Sequence, residues 1–350
     1  MTIPRVDKDL QVFLLMVFLA LVALVAFWSV FDMVVLGASL AVVLLPLHHR
    51  LTRHVRPVFS ATLITTGIFL AIAGVAYATM LVLQANTGVL TTIFSTIGSW
   101  LGNPATHPEA FGVPLGRDTL SAWLATGESL FLNYWTTIME NIRFFVFKGF
   151  IFFLALFALL LKGEYIKDQI FRQLPSPVKR YCVQLEPVTI DTLYVIYIVQ
   201  IAIAVLTFFI AIPVFYFLGY GDIFFYSFLA AFCELIPILG SSVAFIILGA
   251  YALALGDMRG VLILFIFGYI VVSALPEIYV RPVLVGRRVK IHPVIMFVGL
   301  IGGLLTMGLA GFVLGPLIIV LLMKSYRIWT DDRRETQESL DSSRPEDNGA

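Results

Sequence analysis

Hydrophobic and polar positions fall into long apolar blocks separated by short charged stretches. Continuous blocks occupy about 10–30, 33–47, 58–83, 144–161, 193–218 and 260–280. Two further runs, 223–255 and 293–323, are each broken near the middle by Pro and Gly. A helix of about 20 residues spans about 30 Å, the thickness of a bilayer's hydrocarbon core. Each broken run is too long for one crossing and short for two, so each is predicted to form a hairpin of half-helices. Interrupted helices are tolerated at membrane depth only where protein or a water-filled cavity receives the freed backbone groups, and transporters build solute and ion sites from them. The expected fold is all-α: a polytopic integral membrane protein with about six full transmembrane helices and two broken, re-entrant-like helical hairpins.

Composition agrees with that reading. Hydrophobic residues make up 60% of the chain and charged residues 13%, with a mean hydropathy of +0.96; soluble domains carry roughly a quarter charged residues. The formal net charge of +1 says little, because in a membrane protein the placement of charge carries the information. Arg5 and Lys8 precede the first block, but that block outlasts a signal peptide's apolar core and ends without a small-residue cleavage pattern. An uncleaved first helix is expected. Asp32 reads as the turn between the first two blocks, which would then form a tight pair.

With the N-terminus in the cytoplasm and both broken runs returning to the side they entered, the basic residues sort cleanly. Arg5 and Lys8, Arg50 to Arg56, Lys162 to Arg180, Arg281 to Lys290 and Lys324 to Arg344 all fall inside; of the 23 Lys and Arg, only Arg117, Arg143, Lys148 and Arg259 do not. That is the positive-inside bias. A single crossing by 223–255 would push Arg281, Arg287, Arg288 and Lys290 outward, so charge supports the hairpin independently of Pro and Gly.

The chain then divides into N-terminal transmembrane helices (1–83), an extracytoplasmic segment (84–141), a permease core (142–329) holding both hairpins, and a cytoplasmic tail (330–350) expected to be disordered. Within the second unit, 103–116 reads as a Pro- and Gly-rich loop. Leu120, Trp123, Leu124, Phe131, Tyr134, Trp135 and Ile138 line one side of an amphipathic helix, suited to the outer membrane face or a neighbouring subunit. Cys182 and Cys233 suggest neither a disulfide nor a metal site.

The strongest constellation lies at the tip of the first hairpin, where Glu234 is followed by Pro237, Gly240, Ser241 and Ser242. Pro237 removes a backbone donor, Gly240 permits a turn, and the serines can satisfy stray carbonyls or line a polar path. A charged carboxylate at membrane depth costs several kcal/mol, so Glu234 is protonated, paired or facing water; ion or proton coupling and a structural hydrogen bond are both open. Glu277, after Pro276, is one turn from Arg281, and an ion pair competes with a transport role there. Gln200 lies within an apolar block as interhelical glue or as a ligand. In the second hairpin Gly302, Gly303, Gly308, Gly311, Gly315 and Pro316 leave a helix surface almost without side chains, which lets helices approach or slide.

Other patterns carry less. Gly219-Tyr220-Gly221-Asp222 lacks the Thr-Val and the pore helix of a potassium filter, and no partner Tyr-Asp makes it an aspartyl protease, so it reads as a tight turn. His48, His49 and His54 among Arg50, Arg53 and Arg56 read as a solvated, headgroup-facing loop with no metal. No phosphate-binding Gly-x-x-x-x-Gly-Lys loop is present, and no nucleophile or metal cluster supports an enzyme. Neither a cofactor nor a nucleic-acid partner is expected.

Ile236-Pro237-Ile-Leu-Gly240, Pro282-x-x-x-Gly286, Val289-x-Ile291-His292-Pro293, Gly302-Gly303 and Gly308-x-x-Gly311-x-x-x-Gly315-Pro316 resemble the signature of the autoinducer-2 exporter family of permeases. The loop from Leu174 to Tyr181 resembles that family's middle loop, and Arg281 opens the loop motif ahead of Pro282. One departure is visible: the family often has a second Pro about seven residues past the hairpin Gly, where this chain has Ile246, Ile247 and Leu248. The resemblance implies a multi-pass transporter that forms homo-oligomers in the lipid bilayer of the cell membrane. Its substrate would be a small molecule such as autoinducer-2 or, alternatively, a cation exchanged for protons. A non-transporting scaffold is the reading from another class. The expected mechanism brings the two hairpin tips together near mid-membrane, with Glu234 binding the coupling ion.

Overall fold

The computed structural model describes residues 8–102, 140–235, 240–285 and 293–342. These are almost wholly helical, with no strand among them. Six helical stretches are long and apolar enough to cross a membrane: 29–52, 57–82, 142–173, 176–218, 258–284 and 296–334. Large hydrophobic side chains are widely exposed along them, among them Val75, Phe150, Phe209, Ile278 and Leu305. In water such a surface would aggregate; against lipid tails it is what an apolar solvent requires.

Helix α1 spans Lys8–Ala26 and α2 spans Trp28–Thr52. The break between them lies at Phe27, with φ −101° and ψ 14°, and α1 scarcely touches α2 elsewhere. The tight pair expected from a turn at Asp32 is therefore not formed. Asp32 sits inside α2, where Lys148 donates to its carboxylate at 2.7 Å; a buried-side partner removes the reason for a charged turn there. Helices α3 (Pro57–Ala85), α4 (Thr87–Gly102) and α5 (Ile142–Gln173) follow, and α5 packs extensively on α2. Leu40, Ala41, Leu44, Ala61, Leu156 and Leu160 form that contact, and Gly37 lies so close to Phe152 that no Cβ would fit.

A single long rod follows. Helix α6 (Ser176–Tyr194) passes through a π-helical turn at Val195–Val199 into α7 (Gln200–Leu218). At 43 residues, or about 65 Å, the rod is twice the hydrocarbon thickness and must extend beyond it. The Gly219–Asp222 turn, with Gly219 and Gly221 at positive φ, reverses the chain. It leads into α8 (Ile223–Glu234), and α9 (Ser242–Ala254) returns. Arms of 12 and 13 residues reach only about 18–20 Å. Their aromatic core, Phe215 stacked on Phe245 at 5.7 Å and Tyr226 at 5.5 Å from Phe215, ties the hairpin to α7.

The next segment starts as α10 (Met258–Leu262), becomes π-helical over Ile263–Ala274 and Pro276–Val280, and ends as α11 (Arg281–Val285). Finally α12 (Pro293–Ser342) is a hairpin: at Gly308 the backbone leaves the helix, with φ 61° and ψ −141°. Only glycine adopts that conformation readily. The tail expected to be disordered from Thr330 instead continues as helix to Ser342. Arg180 and Tyr181 of α6 bond Asp332 at 3.0 and 3.1 Å, and Arg333 lies over the Trp329 ring of its own helix, so these polar residues have partners.

One end of the bundle gathers basic residues: the end of α2, where His49 meets Glu164 at 3.1 Å, the end of α5, where Lys167 pairs with Glu186, and the start of α6 with Arg180 on Asp332. The Gly219–Asp222 turn lies at the other end. The first hairpin hangs from the turn end and the second rises from the basic end.

Candidate functional site

Where α8 ends, the Glu234 side chain folds back into the first hairpin's tip and is 2% exposed. Its Oε2 accepts the Ser241 backbone N–H at 2.8 Å, and Gly240, at φ +50°, passes so near that a Cβ would sit 3.0 Å from that oxygen. Ser241 Oγ shares a hydrogen bond of 2.8 Å with Ser273 Oγ, both hydroxyls buried. On the other side, Gln200 Nε2 donates to the Glu234 backbone carbonyl, and Gln200 Oε1 accepts from Arg281 Nη1 at 3.0 Å. Arg281 Nε donates to the Glu277 carboxylate. The buried Arg281 Nη2 has no hydrogen-bond partner among the described residues.

Four elements thus converge: α7 through Gln200, the hairpin tip through Glu234 and Ser241, the π-helical segments through Ser273 and Glu277, and α11 through Arg281. The result is one continuous chain of polar side chains in an apolar bundle. Electrostatically it contains two carboxylates and one fixed cation. Arg281 bonds Glu277 directly and Glu234 only through Gln200, so of the two carboxylates one negative charge is left to be balanced by neutral dipoles or by an exchangeable positive species. π-helical turns widen a helix, are rare, and concentrate at functional sites; here they immediately precede Gln200 and carry Ser273 and Glu277.

Of the residues singled out in the sequence, Glu234, Gly240, Ser241, Gln200, Glu277 and Arg281 meet here. Ser242 opens α9 half-buried, and Pro282 is exposed on α11. Pro237, Gly286 and His292, together with residues 103–139 and 343–350, lie outside the described residues; Pro293 begins α12. Ser273 was missed, and a serine within a run as apolar as 263–275 was the available signal.

The second hairpin has a different chemistry. Its arms run backbone against backbone: a Cβ on Gly303 would collide with the Gly311 carbonyl, and one on Gly315 with the Gly299 carbonyl. Gly302 faces open space, away from that seam, and Pro316 lies within the second arm. The expected meeting of the two tips turns on residues 236–239 of the first, which lie outside the described residues. The first hairpin, through Glu234 and Ser241, docks on Gln200 and Ser273. The second reaches a cavity of about 240 Å³ lined by Ser29, Asp32, Lys148, Thr306, Met307 and Ala310. The hairpins enter from opposite ends.

His48 corrects the expectation of a solvated histidine loop. It is buried within α2, its Nδ1 2.9 Å from Ser60 Oγ, while His54 is exposed. Outside the membrane-spanning stretches, Asp257 caps α10: it accepts from Gly260 N–H at 3.0 Å and from the Tyr220 hydroxyl at 2.7 Å. Those two bonds hold the Asp257 carboxyl below the usual carboxylate range.

Residues 12–331 match the family described as AI-2E family transporter. The chain belongs to the AI-2E transporter family. Among its relatives is a protein of Methanothermobacter thermautotrophicus named "Putative transport protein", 28% identical over 301 residues, which cover 84% of this chain and 86% of that one. Proteins of the same name from Archaeoglobus fulgidus and Aquifex aeolicus are 36% and 27% identical over 31% and 53% of this chain, and 31% and 52% of their own lengths. A family of transporters, matched over nearly all of a chain with six candidate spans, makes this a multi-pass membrane transport protein.

Proposed function

We propose that the chain is an ion-coupled secondary transporter that exports a small polar solute, with Glu234 as the residue that binds the coupling proton or cation. The single observation that carries the reading is the charge pattern around buried Glu234: two carboxylates share the one cation Arg281, which bonds Glu277, and the remaining negative charge suits a proton or cation that can come and go. Half-length arms support it. An arm of about 18 Å from the turn end is in keeping with Glu234 at membrane depth, where a carboxylate needs a built polar site.

By the positive-inside rule, the basic end and both termini face the cytoplasm and the Gly219–Asp222 turn faces out, in the cell membrane. The first hairpin is then re-entrant from outside and the second from inside. Lipid, the solute and further copies of the chain are its partners. The cavity beside Asp32 and Lys148, below the roughly 300 Å³ at which drug-sized pockets begin, suits a small polar metabolite such as autoinducer-2.

A second reading is cation/proton exchange alone. The observation favouring it is that the Glu234 site holds carboxylate and hydroxyl oxygens, the ligand type of a hard cation. Purified protein in liposomes with an internal pH dye, scanned over sodium and proton gradients with and without autoinducer-2, separates the two. Solute-dependent pH change supports export, and solute-independent change supports exchange. Absence of both, with the protein folded and inserted, contradicts the transporter mechanism proposed here.

A further inference from the structure

The cavity at the second hairpin's tip carries a charged pair on its wall, and that pair has spare capacity. An ammonium has three donors and a carboxylate about four acceptor sites. Among the described residues, Lys148 spends one donor, on Asp32 Oδ2 at 2.7 Å, and Asp32 Oδ1 accepts the Met33 N–H at 2.9 Å. Both side chains line the cavity of about 240 Å³, Lys148 19% and Asp32 24% exposed. A pair that only stapled α2 to α5 would need no space beside it.

The pair is held in place from behind. Asp32 lies five residues before Gly37 and Lys148 four before Phe152, so both stand about one turn from the point where the two helices touch backbone to backbone. Charges fixed before a guest arrives lower the cost of binding it. The second hairpin closes the other side with Thr306, Met307 and Ala310, next to the break at Gly308. The Thr306 hydroxyl donates to the Gly302 carbonyl at 2.8 Å, so Val35, Met307 and Ala310 give the cavity a mainly apolar side.

The charges select the guest. A simple anion gains from Lys148 but meets Asp32, a simple cation gains from Asp32 but meets Lys148, and either leaves the cavity with a net charge. A small molecule carrying both signs, laid antiparallel to the pair, sets four charges in alternation with no net charge and makes charge-assisted bonds at both ends. We propose that this cavity is a solute site for small zwitterions of the α-amino acid class. The carboxylate binds Lys148, the ammonium binds Asp32, and the side chain lies against Val35, Met307 and Ala310. The inference names a solute class for the transporter reading above and rests on it.

Equilibrium binding of radiolabelled alanine, valine and leucine to the purified chain in detergent is the test, with no gradient and hence no contribution from Glu234 coupling. At least one of the three binds, and the whole amino acid displaces its label about tenfold or more better than the matching carboxylate or amine, isobutyrate and isobutylamine in the case of valine. Binding by none, or equal displacement by the single-charge analogues, overturns the proposal. Asp32→Asn moves the preference toward the carboxylate and Lys148→Met toward the amine, a reversal that losing a staple between helices does not produce. Folded variants that keep the wild-type order overturn it. Autoinducer-2 bound where no amino acid binds also overturns the zwitterion class while leaving the transporter reading standing. Unchanged coupled flux by Glu234→Gln sinks the coupling role alone and leaves the binding result as measured.

Discussion

The two hairpins solve one problem in opposite ways. Both bring non-helical backbone into an apolar bundle, where freed N–H and C=O groups need partners. The first does so with side chains: Glu234 accepts the Ser241 N–H, Gln200 covers the Glu234 carbonyl, and Ser273 meets Ser241. The second does so by close approach, Gly303 against Gly311 and Gly299 against Gly315, with Gly308 alone leaving the helix. A hydrogen-bonded tip is fixed by directional partners on two other elements. A glycine seam has no directional partner and tolerates sliding. The first arrangement suits holding an ion, as proposed above, and the second suits movement.

The seam gives the largest expected effect. Gly303→Leu or Gly311→Leu drives a side chain into a carbonyl of the facing arm, and the cost should exceed about 3 kcal/mol, seen as a sharp fall in melting temperature in detergent or loss of folded protein. Gly302→Ala, with open space beyond it, should be neutral or gain up to about 1 kcal/mol from helix propensity. If both substitutions behave alike, the backbone contact does not hold the hairpin together.

Next come the directional partners. Arg281→Ala leaves the part-exposed Glu277 carboxylate and the Gln200 amide oxygen without their donor, and should destabilise by about 1–2 kcal/mol while abolishing coupled flux. Replacing Glu277 by Gln in that background should restore part of the stability but none of the flux. A double-mutant cycle on Ser241→Ala and Ser273→Ala should give a coupling of about 1 kcal/mol; a value near zero would mean that the hydroxyls do not share a bond in the membrane.

The smallest effect lies at the turn end. The Asp257 carboxyl is held down by the Gly260 N–H and the Tyr220 hydroxyl, so its folded-state pKa is below its unfolded one. Its contribution to stability is present above the unfolded value, about 3.9, and is lost as pH falls through the depressed folded value. Asp257→Asn should flatten the acid side of the stability profile and leave neutral flux unchanged, as thermal unfolding between about pH 6 and about pH 3 would measure.

Much of this was legible in the sequence because hydrophobic length and Pro-Gly interruption are one-dimensional signals. The hairpin boundaries near 223–255 and 293–323 follow from them, and Glu234 stood out because a carboxylate in such a run needs an explanation. Pairings were less visible. Nothing in the order of residues says that Gln200 bridges Glu234 and Arg281, since that bridge spans three elements. Ser273 was hidden by its apolar neighbours, and π-helical winding has no simple residue signature. Asp32 misled for a related reason: a lone charge between apolar blocks reads as a turn unless the distant Lys148 is known to neutralise it. His48 misled because its basic neighbours suggested water, whereas Ser60 gives it a buried partner.

The most direct test of the central claim is proton-linked flux by Glu234→Gln in liposomes, measured across pH and sodium gradients beside the wild type. The glutamine keeps the size and the Ser241 N–H acceptor but cannot bind and release a proton or balance a cation. The account predicts a folded, stable protein whose flux loses its dependence on both gradients. Wild-type pH and sodium dependence in that variant would contradict it.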